Sequence, residues 1–107
     1  MLVNNKVYGL LGLTTKAGKL CFGTESCLDM INKKKVKLII VAEDSSDRTI
    51  QNFKEKCMQN DIDFYIYGKK EELSKAIGKP NKTVVGIKDK NLAGAIIKIL
   101  NGGDVIG

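Results

Sequence analysis

Val36-Lys37-Leu38-Ile39-Ile40-Val41-Ala42 is the stretch on which the fold turns. Aliphatic, largely β-branched residues follow one another with a single charge near the start. A half-exposed strand alternates apolar and polar residues, and this run does not. It reads as a strand buried on both faces, which requires helices on both sides of its sheet. Glu43-Asp44-Ser45-Ser46-Asp47 follows directly as a polar turn and helix entry.

Toward the C-terminus the period changes to that of a helix, with Ile50, Phe53 and Cys57 on one face. Phe64 to Tyr67 reads as a second strand. Lys69 to Ile77 reads as a short helix that turns Leu73, Ala76 and Ile77 inward and ends at Gly78, with Pro80 in the loop beyond. Thr83 to Ile87 is the last strand. Asp89 can cap a final helix whose stripe is Leu92, Ala95, Ile96, Ile99 and Leu100. Toward the N-terminus, Lys33-Lys34-Lys35 closes a helix with Cys27, Met30 and Ile31 inward and Thr24 as its expected N-cap. The short apolar run Leu20-Cys21-Phe22 precedes Gly23. Before it, Val7, Leu10 and Leu11 share a helical face that Gly18 terminates. The order α-β-α-β-α-β-α-β-α, with short connections, predicts one domain over residues 1–107. Its class is α/β, a three-layer α/β/α sandwich with helices on both faces of a central sheet.

Composition narrows the function. Of the 107 residues, 43% are hydrophobic and only 6% aromatic, so the core must come from Leu, Ile, Val and Ala. No apolar run approaches the ~20 residues that cross a bilayer. The start of the chain, with Asn4, Asn5 and Lys6, has no secretory pattern. The expectation is a cytoplasmic chain with no membrane partner, and nothing demands more than a monomer. Histidine is absent, which removes the commonest general acid–base and the commonest metal ligand. Cys21, Cys27 and Cys57 are odd in number and lack zinc spacing, so they read as small buried hydrophobes in a reducing compartment. A binding protein is expected, not an enzyme, with neither metal nor cofactor. Lys and Arg total 18 against 12 acids, a net charge of +6 that favours phosphate polymers. Arg48 is the sole arginine, so attraction to backbone phosphate is favoured over bidentate reading of bases.

Three segments could carry chemistry. Gly9-Leu10-Leu11-Gly12 lies within a helical pattern, not at a strand–helix turn, and reads as close helix packing and not a dinucleotide fingerprint. Glu43-Asp44 lies beyond the carboxyl end of the central strand, where α/β folds often place function. Paired acids there could hold Mg²⁺ in a small nucleotide- or phosphate-binding or interaction domain; equally, they could end the strand and favour the next helix electrostatically. Lys16-Ala17-Gly18-Lys19-Leu20-Cys21-Phe22-Gly23-Thr24-Glu25 brings two lysines, glycines and polar groups to a helix N-terminus, where backbone N–H groups and the dipole attract phosphate. It reads either as such a site or as an ordinary helix cap.

KAGKLCFGTE at 16–25, VKLIIVAED at 36–44 and LSKAIG at 73–78, with VYGLLGL at 7–13 and the closing amphipathic helix, resemble the L-seven-Ae and L-thirty-e ribosomal protein family along nearly the whole chain. The resemblance implies a four-stranded mixed sheet and a structured RNA partner. That partner is a kink-turn in ribosomal or other RNA, in which a bulge beside tandem sheared G·A pairs bends the duplex. It also implies a ribosomal or ribosome-associated protein. In that family the N-terminal end of the second helix enters the major groove opened at the bend. Carried over by position, Gly23, Thr24 and Glu25 face the G·A pairs, with Glu25 accepting from guanine N–H groups. Lys16 and Lys19 meet nearby phosphates, and Lys33 extends the basic face. The loop Ile77-Gly78-Lys79-Pro80-Asn81-Lys82 covers the unstacked bulge nucleotide. The chain departs at Thr24 and Leu28 from the archaeal-type pattern, which has asparagine and lysine there, and at Lys79, where family members usually carry more apolar character.

Overall fold

The computed structural model describes the backbone over residues 2–102 and side chains over residues 6–102. Its elements are α1 (Leu2–Lys16), β1 (Leu20–Phe22), α2 (Thr24–Asn32), β2 (Leu38–Val41), α3 (Asp47–Gln59), β3 (Asp63–Ile66), α4 (Lys70–Ile77), β4 (Val84–Ile87) and α5 (Lys90–Leu100). This is the order expected from the sequence. The strands form one mixed sheet in the order β1-β4-β2-β3. β4 is antiparallel to both β1 and β2, while β2 and β3 run parallel, as a strand–helix–strand connection through α3 allows.

Period-2 alternation along the central strands makes two cores. Leu38, Ile40, Ala42, Val85 and Ile87 point to one face, where α1, α4 and α5 supply Val7, Leu11, Leu73, Ile77, Ala93 and Ile96. Ile39, Val41 and Val84 point to the other, against Cys27 and Ile31 of α2 and Phe53 and Cys57 of α3. Both faces of β2 are therefore covered, which is why its sequence does not alternate.

Two expectations are corrected. Thr24 is not the N-cap of α2: Gly23 takes that position, with no side-chain cap, and Thr24 is the first helical residue. The α5 stripe is rotated, so Ala95 is exposed and Ala93 is buried beside Ile96. An alanine is small enough for either face, and the packing of α5 against α1 and β4 chooses. Asp89 does cap α5, accepting from Leu92 N–H at 2.8 Å. Gly18 and Gly78 both end helices in the left-handed region, with φ of 70° and 72°. Of the two glycines in the first helix, Gly12 packs against α4, where an added Cβ would stand 3.6 Å from Ala76 O; Gly9 faces open space.

Gly86 is the tightest point of the sheet. It pairs with Cys21 on one side and Ile39 on the other. A Cβ there would come within 2.6 Å of Cys21 Sγ and 2.9 Å of Val36 Cγ2. Gly86→Ala is predicted to cost ~1–3 kcal/mol by overpacking. On the scale of a ~100-residue domain this lowers Tm by roughly 5–20 °C in a thermal melt. Gly9→Ala, on the exposed side of α1, should instead raise Tm slightly. Equal behaviour of the two variants would refute the crowding at Gly86.

Candidate nucleic-acid interface

Gly23 joins β1 to α2 at φ 89° and ψ 154°, a region that only glycine occupies readily. Its N–H donates to Val84 O at 2.9 Å, and its carbonyl accepts from Cys27 N–H at 3.1 Å. The turn is thus tied both to β4 and to the first turn of α2. With no side chain capping this end, the N–H groups of the first turn face outward, at the positive pole of the helix dipole. Thr24 and Glu25 are exposed beside them.

Antiparallel pairing of β1 with β4 brings the α4–β4 loop to this turn. Phe22 pairs with Val85, so the residues before Val84 lie against Gly23. Ser74 of α4 pins the loop: its Oγ accepts from Lys82 N–H at 2.8 Å and donates to Lys82 O at 3.1 Å. The ammonium groups of Lys79 and Lys82 stand 5.6 and 5.5 Å from the centroid of the Phe22 ring. A ring face attracts cations, so Phe22 holds both charges beside Gly23. Gly78 and Lys79 are exposed on the loop, whereas the Ile77 side chain is buried and serves as the loop's anchor.

The remaining sequence-predicted residues are elsewhere. Lys16 and Lys19 precede β1 and lie at its other end, where Lys88 N–H donates to Lys19 O at 2.8 Å. Lys33 closes α2 at its far end and pairs with Asp29 at 3.0 Å. Phe22 and Ser74 were missed by sequence reasoning, and Lys82 was placed in the loop without a role of its own. An aromatic residue just before the Gly–polar–acid stretch was a weak signal for Phe22. Nothing local marks Ser74 and Lys82, whose roles depend on a contact across the chain.

Glu43 and Asp44 have structural employment. Asp44 Oδ1 accepts from Lys70 N–H at 2.8 Å and so caps α4, not the helix that follows it in sequence. Glu43 pairs with Lys69 at 3.4 Å, and α3 is capped by Ser46. Tyr8 Oη donates to Glu72 Oε1 at 2.8 Å, which lowers the Glu72 carboxyl and, after burial, raises the Tyr8 phenol. This bond fastens α1 to α4. The three cysteines are free and buried. Burial first, and Asp63 second, push the Cys57 thiol up to about 12, so it is protonated at neutral pH. Cys21 and Cys27, which bracket the Gly23 turn, touch at 3.6 Å between sulfurs. Among the described residues no three His, Cys, Asp or Glu side chains form a metal-binding group.

The model of the ribosomal protein L7Ae/L30e/S12e/Gadd45 family matches residues 5–96. The chain belongs to this family. RNA-binding protein YlxQ of Enterococcus faecium is 33% identical over 97 residues, covering 91% of this chain and 93% of that protein. RNA-binding protein YlxQ of Bacillus subtilis (strain 168) is 28% identical over 94 residues, covering 88% and 94%. A Bacillus halodurans protein of unknown function superposes with a TM-score of 0.87 at 28% identity, over 90% of this chain and 97% of that one. The Giardia lamblia 15.5kD RNA binding protein shares the fold, with a TM-score of 0.80 at 16% identity over 100% of this chain and 92% of its own.

Two variants test the supports of this edge. Ser74→Ala leaves Lys82 N–H and C=O without their partner, at a cost of ~1–3 kcal/mol. Amide exchange at Lys82 should accelerate well beyond that at core amides. Asp44→Ala should cost ~1 kcal/mol as a lost helix cap, with no shift of Tm by millimolar Mg²⁺ in the parent protein. A Mg²⁺-dependent rise in Tm that Asp44→Ala abolishes would return the acidic pair to function.

Proposed function

We propose that this protein binds structured RNA carrying a kink-turn, using the open N-terminus of α2 and the α4–β4 loop as one clamp. The observation that carries the reading is their adjacency: Gly23, Thr24 and Glu25 share an edge with Gly78, Lys79 and Lys82. Family membership and the names of the Enterococcus and Bacillus relatives support it.

A-form RNA hides its major groove from side chains, and a sharp bend opens it. Gly23 has no Cβ to hold the backbone away from base edges. Glu25 is an acceptor aimed outward, suited to the N–H groups that sheared G·A pairs expose. The free N–H groups of α2 and the ammonium groups of Lys79 and Lys82 neutralise phosphate beside them. At position 79 a lysine stands where an apolar residue would cover the bulged nucleotide, so that contact is ionic. The protein acts by binding, not catalysis, as a monomer in the cytoplasm, on ribosomal RNA or another RNA with this bend, on or near the ribosome.

The test is a gel-shift titration at two salt concentrations. One RNA contains the kink-turn; in the other its G·A pairs are replaced by Watson–Crick pairs. The first should bind tightly and the second weakly, with strong salt dependence. Glu25→Ala should cost ~1–3 kcal/mol on the kink-turn, roughly 5- to 150-fold, and little on the control. Lys79→Ala should weaken both RNAs similarly. Equal binding of the two RNAs by the parent protein would defeat the proposal.

A further inference from the structure

The lysines that the clamp leaves out are gathered at the opposite end of the sheet. β1 and β2 begin there and β4 ends there, with Lys88 N–H donating to Lys19 O and Lys37 N–H to Ile87 O, both at 2.8 Å. Strand spacing puts Lys19 and Lys37 roughly 10 Å apart with β4 between them. α1 delivers Lys16 to this end, and α2 delivers Lys34 and Lys35. Lys16, Lys19, Lys34 and Lys35 are exposed, and among the described residues no carboxylate pairs with them. Asp29 is spent on Lys33, and Asp89 on the cap of α5. Asp61 and Asp63 lie beside Lys37 and Lys90 in a depression toward β3, which leaves lysines in excess on the β1–β4–α2 side.

Lys34 adds a second observation. It holds φ 57°, the left-handed conformation that Gly18, Gly78 and Gly102 supply at other helix ends. Among the described residues the other non-glycine ones in this region are Asp61 and Asn81, types that tolerate it. A lysine is less usual there, and at this corner it sets an ammonium group where the other helix ends have a glycine.

We propose that this lysine end is a second RNA surface, which holds the phosphate backbone of the helical arm leaving the bend without reading its sequence. The inference rests on the kink-turn reading of the clamp. α2 connects the two: its N-terminus is in the clamp, and its nine residues end at Asn32, with Lys33 as the C-cap. At 1.5 Å per residue that is ~14 Å, so an arm running along α2 reaches the lysines.

The experiment compares Lys19→Gln/Lys34→Gly with Lys54→Gln/Lys98→Gln, which removes the same charge from exposed sites on α3 and α5. The first variant also relieves strain at residue 34, so lost folding is excluded if its Tm matches or exceeds that of the parent. Each is titrated against a kink-turn RNA with a long arm and with that arm cut short, across a salt series. The expected result is roughly 5- to 10-fold weaker binding of the long-arm RNA by the first variant, with a salt slope smaller by about 1.5. The short-arm RNA should be bound as by the parent, and the control pair should change neither. Equal loss on both RNAs, or equal loss from both variants, overturns the proposal. If the parent fails to prefer the kink-turn to its Watson–Crick control, the clamp reading fails on its own. Binding of plain duplex RNA that only Lys19→Gln/Lys34→Gly loses would then still establish the lysine surface, and its retention by that variant would overturn it.

Discussion

Backbone hydrogen bonds that lay β4 between β1 and β2 organise everything else in this protein. Because β4 is antiparallel to both neighbours, its incoming loop meets the outgoing ends of β1 and β2. The Gly23 turn and the α4–β4 loop are separated by more than fifty residues of chain, yet they become one surface. The fit depends on Gly86, since the pairing draws Cys21, Val36 and Ile39 over a position with no side chain. A strand with alanine there would have to move away from one partner, and the clamp would open with it.

The same pairing separates charge. Strands that end together at the clamp begin together at the lysine end, so residues near in sequence, such as Lys19 and Gly23, are sent to opposite poles. At the clamp, positive charge is concentrated by geometry: a helix N-terminus without a capping side chain, and two lysines held over Phe22. At the other pole it accumulates from lysines with no carboxylate to answer them. The charge at the first is shaped by a turn; at the second it is diffuse.

Helix α4 carries the loop and is moored on three sides. Asp44 caps its first turn, Tyr8 holds Glu72, and the buried hydroxyl of Ser74 satisfies both backbone groups of Lys82. Acids at the end of a central strand look like a cation site in sequence. Here they position the helix that positions the loop, and their influence on the clamp is mechanical.

The nine elements and their order were legible in the sequence, because burial imposes a period on each: Val36–Ala42 does not alternate since both faces of β2 are covered, and Gly18, Gly78 and Asp89 mark helix ends by local backbone chemistry. So was the Gly23-Thr24-Glu25 stretch, as a glycine turn into a helix. Thr24 was misread as a cap because a Gly–Thr pair allows either residue to start the helix, and only the pull of Val84 on Gly23 N–H decides. The face of α5 that takes Ala93 over Ala95 was likewise undecided, since both are small and apolar. Tertiary structure alone brought Phe22, Lys79 and Lys82 together, gave Asp44 to α4, and divided the lysines between two poles. These outcomes depend on strand order, and strand order is set by which edges pair across the chain, a choice that no local pattern of residues records.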